Sequence, residues 1–121
     1  MARSKILIVE DDPIVLMSAA QALRAGGGAV LEAESADMAA TILNSEAGQV
    51  AVVFSDIDMP GALNGLTLAH AIGEQWPAIA VVLASGHAIP TPAELTPCVR
   101  FIRKPYNLAH VSEIILDLSK V

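Results

Sequence analysis

The sequence is short of cysteine, of basic side chains and of long apolar runs, and each shortage removes a class of protein. Cys98 is the only cysteine, so neither a disulfide framework nor a cysteine-based metal site is available; its expected role is that of a small buried hydrophobe. Seven Lys and Arg stand against 13 Asp and Glu, a net charge of -6. Nucleic-acid affinity rests on cations that neutralise phosphates, so direct binding of DNA or RNA is not expected. His70, His87 and His110 are widely separated, without the short spacings of a zinc site, and are read as surface or packing residues. The longest apolar runs, 50–54 and 79–84, are about a third of the ~20 residues that cross a bilayer. Residues 6–9 run directly into Glu10, Asp11 and Asp12, unlike the apolar region and cleavage site of a signal peptide. The expectation is a cytoplasmic protein without membrane association.

What is present is a hydrophobic content of 54% over 121 residues, with 17% charged. Disorder needs the opposite balance, and this length suits one compact domain over residues 1–121 rather than a two-domain enzyme. Mostly apolar runs of strand length at 6–9, 50–54, 79–84 and 99–102, with a weaker one at 29–33, alternate with segments of helical period. Continuous runs of this kind suit strands covered on both faces. Val15, Leu16, Ala19, Ala22 and Leu23 share one helical face, with Asp12 as N-cap and Pro13 at the first helical position. Ser35, Asn64 and Asn107 can cap three further helices, which end near Gly48, before Pro77 and close to the C-terminus. Gly26-Gly27-Gly28 accompanies no dinucleotide or Walker pattern and is read as a helix end turning into a strand. The pattern predicts a doubly wound parallel sheet of five strands in the flavodoxin-like order 2-1-3-4-5, with ligands bound beyond the carboxyl ends of strands 1 and 3.

Glu10 and Asp11 follow the first strand, Asp56 and Ser85 close the third and fourth regions, and Lys104 follows the fifth. Singly, each has an ordinary structural explanation, because acidic residues begin helices, Asp favours turns, Ser ends strands and lysines are solvated. Together they bring groups suited to phosphate chemistry from four strand ends to one edge. Three carboxylates at one site repel one another, and such hard oxygen ligands call for Mg2+ or a similar divalent ion. Mg2+ takes few protein carboxylates and fills its other octahedral positions with water or phosphate oxygens. An Asp can act as nucleophile and form an aspartyl phosphate, while Lys104, the metal and the Ser85 hydroxyl suit the charge of the transferred group.

Ile6-Leu7-Ile8-Val9-Glu10-Asp11-Asp12-Pro13, Ser55-Asp56-Ile57-Asp58-Met59-Pro60-Gly61 with Asn64-Gly65-Leu66, Leu83-Ala84-Ser85-Gly86 and Phe101-Ile102-Arg103-Lys104-Pro105-Tyr106 resemble, in order and spacing, the receiver domains of two-component response regulators, the chemotaxis regulator among them. The resemblance implies that Asp56 is the phosphoacceptor, Asp11 a direct Mg2+ ligand, Glu10 a ligand through coordinated water, and Asp58 a donor of its backbone carbonyl to the metal. It implies that the Ser85 hydroxyl moves toward the phosphoryl oxygen, that Lys104 pairs with that group, and that Phe101 follows the switch by changing rotamer. It also implies a cis Lys104–Pro105 peptide, a form found in about 5% of X–Pro bonds. Asp12 is assigned to the helix cap. Asp58 and His87, each two residues beyond a key position, are expected to tune phosphoryl lifetime. The partners implied are a histidine kinase or histidine phosphotransfer protein upstream and a protein effector downstream, with no enzymatic activity beyond the chain's own aspartyl phosphorylation and dephosphorylation.

Two departures from the family pattern stand out. The loop from Pro60 to Gly65 is one residue longer than in the chemotaxis regulator, and Pro90, Pro92 and Pro97 restrict the residues before them and remove backbone donors. A shortened fourth helix, at most a turn within 86–98, is therefore expected. A reading of another class is a phosphatase of the haloacid dehalogenase type, since Asp56 and Asp58 follow an apolar strand two residues apart; there the nucleophile normally follows the first strand, and Glu10 and Asp11 are left without a role. A degenerate receiver that only binds partners is the third reading, set against the presence of every key side chain.

Overall fold

A computed structural model of the chain describes residues 4–58, 64–86 and 99–119. Strands β1 (Lys5–Val9), β2 (Ala29–Ala33), β3 (Val50–Asp56), β4 (Ala80–Ser85) and β5 (Val99–Arg103) form one parallel sheet in the order β2-β1-β3-β4-β5. Helices α1 (Pro13–Ala25), α2 (Ala36–Glu46), α3 (Gly65–Gln75) and α4 (Leu108–Ser119) complete the described elements, with a 3-10 turn at Ala47–Gln49. This is the doubly wound architecture that the alternation of runs predicts. The expected shortened helix between β4 and β5, the loop at 59–63, His87 and Cys98 lie outside the described residues.

Local chemistry starts each helix where the sequence places it. Asp12 accepts from the N–H groups of Ile14 (2.9 Å) and Val15 (3.4 Å), ahead of Pro13 at the first helical position. Ser35 accepts from Met38 N–H at 3.1 Å, Asn64 from Thr67 at 2.9 Å and Asn107 from His110 at 3.2 Å. These side chains satisfy donors that the first helical turn leaves open. At the end of α1 the chain turns through Gly27 at φ 94, the left-handed region where glycine carries no Cβ penalty.

Both faces of the sheet are covered. Ile6, Ile8, Val52, Phe54, Val82 and Ala84 meet Leu16, Ala19, Leu23, Val111 and Ile115 of α1 and α4. Leu7, Val9, Val53, Val81 and Leu83 meet Ala39, Leu43, Leu68 and Ile72 of α2 and α3. All seven residues of β3 are buried, which is why its first five read as an unbroken apolar run.

Strands β3 and β4 overrun their apolar runs, as the placement of Asp56 and Ser85 at strand ends requires, and one helical face differs from the sequence reading. β3 runs on through Ser55 and Asp56, because its backbone ladder continues opposite Val9 and Ala84 whatever the side chains are. β4 begins at Ala80 and ends at Ser85, one residue later than its apolar run. On α1, Ala20 is buried while Val15 is 37% exposed, since the first turn of the helix overhangs the sheet.

Candidate functional site

Strand periodicity assembles the site. Side chains two apart share a face, so Glu10 continues the row of Ile6 and Ile8, and Asp56 continues the row of Val52 and Phe54. Both emerge on the α1/α4 side beyond the last apolar pair. Lys104 follows Ile102 in the same way at the end of β5, and its backbone N–H donates to Ser85 O at 2.9 Å. The Lys104–Pro105 peptide is cis, as the resemblance implies.

The Lys104 Nζ lies 3.2 Å from Asp56 Oδ2. Glu10, Asp11 and Asp56 each offer a carboxylate oxygen within 4.8 Å of the others. Glu10 and Asp56 are 8% exposed and Asp11 is open to solvent. Burial, reinforced by the charge of Asp56 and only partly offset by Lys104, pushes the Glu10 carboxyl up from 4.5 to about 7, with Asp11 adding to the rise. Burial works against the Lys104 ammonium, yet its hydrogen bond to Asp56 and the charges of Asp56 and Glu10 raise it above the usual lysine value. Adjacent hard oxygen donors with too little positive charge among them fit a divalent cation such as Mg2+.

The walls are tightly built. Gly65 opens α3 and donates to Ile57 O at 3.2 Å; a Cβ there would run into the Asp56 carbonyl oxygen, so the helix start can lie against the end of β3 only as glycine. A cavity of about 10 Å³, lined by Glu10, Val15, Phe54, Asp56, Lys104 and Tyr106, has room for about one water. Tyr106 packs edge-on against Phe54, with ring centroids 5.9 Å apart, and burial raises its phenol above the usual range. A groove of about 480 Å³ opens beside it between Val15, Gly86, Lys104, Pro105 and Tyr106.

Ser85 and Phe101 are placed differently. Ser85 is buried at the end of β4, on the face of Val81 and Leu83, and Phe101 pairs with Leu83 on β5, half-buried against the same cluster. The Ser85 hydroxyl donates to Asp58 Oδ2 at 2.6 Å, and the Asp58 N–H donates to Asp56 Oδ1 at 3.3 Å. Thus Glu10, Asp11, Asp56 and Lys104 meet directly, Ser85 and Asp58 join them through hydrogen bonds, and Phe101 stands one step back along the sheet. His70 and His110 are exposed. Sequence reasoning missed the hydrogen bond between Ser85 and Asp58, the Tyr106 wall and the placement of Val15; the aromatic two residues after Lys104 was the available signal for the wall.

A sequence model of the response regulator receiver domain matches residues 6–116. The sensor kinase CckA of Brucella abortus is 31% identical over 116 residues, 93% of this chain, which spans only 12% of that kinase's length. The crystal structure of the receiver domain of a hybrid histidine kinase CckA superposes with a TM-score of 0.80 at 31% identity, covering 96% of this chain and 99% of that one. The receiver domain of NtrX from Brucella abortus gives 0.77 at 32% identity, covering 93% and 98%. Among the described residues no helix is long and apolar enough to cross a membrane.

Proposed function

The chain belongs to the response-regulator receiver family of two-component systems, and from that premise we propose that Asp56 accepts a phosphoryl group from a histidine kinase or histidine phosphotransfer protein and thereby switches the binding of a protein effector. The observation that carries this reading is the Asp56 carboxylate itself, paired with Lys104 at 3.2 Å and clustered with Glu10 and Asp11 at the switch point of the sheet.

In the proposed step an Asp56 carboxylate oxygen attacks phosphorus as the P–N bond of the donor phosphohistidine breaks. The bonding pair returns to the imidazole nitrogen, which then takes a proton, and an acyl phosphate is left on Asp56. Lys104 moves with the charge, from the carboxylate to the phosphoryl oxygens. Asp11 and Asp56 would hold Mg2+ directly, Glu10 through water and Asp58 by its backbone carbonyl; the ion supplies charge neutralisation on the transferred oxygens. The Ser85 hydroxyl then closes on the phosphoryl group and Phe101, beside Leu83 on the same face, repacks as a population shift between two arrangements. The chain catalyses only its own phosphorylation and dephosphorylation.

Donor access is supported by the groove at Val15, Pro105 and Tyr106 and by Ile14, 70% exposed on the first turn of α1. Similarity to a sensor kinase and to a hybrid-kinase receiver supports a place in a cytoplasmic phosphorelay, with the receiver acting as one domain. Incubation with acetyl phosphate followed by intact-mass measurement tests the reading. One phosphate adduct is expected on the wild type with Mg2+, and none on Asp56→Asn or in EDTA; labelling of Asp56→Asn, or equal labelling in EDTA, refutes it.

A further inference from the structure

Ser85 is 1% exposed, and its hydroxyl donates a 2.6 Å hydrogen bond to Asp58, 27 residues away in sequence. That length belongs to the short, charge-assisted class of O–H···O⁻ bonds. The Asp58 backbone is tied to the site by its own N–H bond to Asp56. The Ser85 backbone is tied as well, since its carbonyl accepts from Lys104 N–H at 2.9 Å and the neighbouring Ala84 carbonyl accepts from Ile57 N–H at 3.0 Å. With both backbones held, the direction of the hydroxyl is set by rotation of the Ser85 side chain.

A serine hydroxyl has one proton to donate. A phosphoryl oxygen on Asp56 and the Asp58 carboxylate therefore compete for it, and one excludes the other. We infer that the Asp58 carboxylate is a latch that holds the Ser85 hydroxyl when Asp56 carries no phosphoryl group, so that closure of Ser85 requires this bond to break. The inference rests on the phosphoacceptor reading and adds a positioning residue to it: Asp58 acts through Ser85 rather than on the transferred group. It also sets the threshold of the switch, because every increment of strength in the Asp58 bond is subtracted from the gain on closure.

The test is a double-mutant cycle read as affinity for beryllofluoride, a phosphoryl mimic, with Mg2+ saturating each protein. A hydrogen bond to a charged group contributes at least ~1.5 kcal/mol, about ten-fold in affinity. Asp58→Ala is therefore expected to tighten beryllofluoride about ten-fold when Ser85 is present and to change it little in the Ser85→Ala background. Asp58→Asn, which keeps an acceptor oxygen without the charge, is expected to fall between. In the protein without Mg2+ or beryllofluoride, Asp58→Ala should also shift the NMR resonances of the Ser85 side chain. Equal tightening in both backgrounds, or an unmoved Ser85 signal, overturns the latch. Failure of the wild type to bind beryllofluoride overturns the phosphoacceptor reading and the latch with it, whereas binding without coupling overturns the latch alone.

Discussion

Glu10→Gln should stabilise the metal-free protein at neutral and alkaline pH, although it removes a charged residue from the functional site. Burial and the neighbouring Asp56 charge raise this carboxyl from 4.5 to about 7, with Lys104 offsetting part of the rise and Asp11 adding to it. Between those two values the folded chain holds a proton that the unfolded chain has released, so stability falls as pH rises through the interval. Below about 4.5 the contribution is fully present, and above about 7 it is lost. At ~1.4 kcal/mol per pH unit the whole interval amounts to about 3 kcal/mol. Gln is close in shape and cannot ionise, so the variant should gain about this much over wild type at pH 8 and almost nothing at pH 4.5. Urea denaturation in EDTA at a series of pH values measures the difference curve. A difference that stays flat from pH 4.5 to 8, or that grows toward acid, refutes the electrostatic account of Glu10.

Asp12→Ala should cost about 1 kcal/mol in urea denaturation through loss of the α1 cap while leaving Mg2+ affinity unchanged; a large loss of Mg2+ affinity would move Asp12 into the site. Gly65→Ala should cost ~1–3 kcal/mol, the range for forced overpacking, because the new Cβ meets the Asp56 carbonyl, and its acetyl phosphate labelling should fall with it; a wild-type thermal midpoint would refute the contact. Ser112 on α4 is buried with no hydrogen-bond partner for its Oγ among the described residues, so Ser112→Ala should be neutral or stabilising by up to ~1 kcal/mol in the same assay.

The three central strands were legible because parallel strands buried on both faces read as plain apolar runs, and the caps at Asp12, Ser35, Asn64 and Asn107 because capping depends on one side chain and a few neighbouring N–H groups. The carboxylates and Lys104 were legible for a topological reason: residues just past the strands of a parallel sheet share one edge. Val15 was not, because a helical face gives direction around the axis and says nothing of where the helix overhangs its sheet. The Ser85–Asp58 bond was invisible for a different reason. It joins the end of β4 to a loop residue 27 positions away, and no periodicity reports which rotamers the two side chains adopt.

What unites the site is competition for shared partners. Lys104 is shared by charge between Asp56 and Glu10, and Glu10 keeps its proton to near neutrality because burial and the Asp56 charge together outweigh that single cation. Ser85 gives its hydroxyl proton to Asp58. Under the proposed function, a phosphoryl group on Asp56 would claim the Lys104 ammonium and the Ser85 hydroxyl at once, and the divalent cation would relieve the carboxylates that lose by the exchange. Each claim breaks a contact held in the resting arrangement, so the two states are separated only by the difference between the contact broken and the contact made. A site organised in this way can be moved by one covalent event, and the sign of each difference is measurable at Glu10 and Asp58 separately, because one is read by protons and the other by the Ser85 hydroxyl.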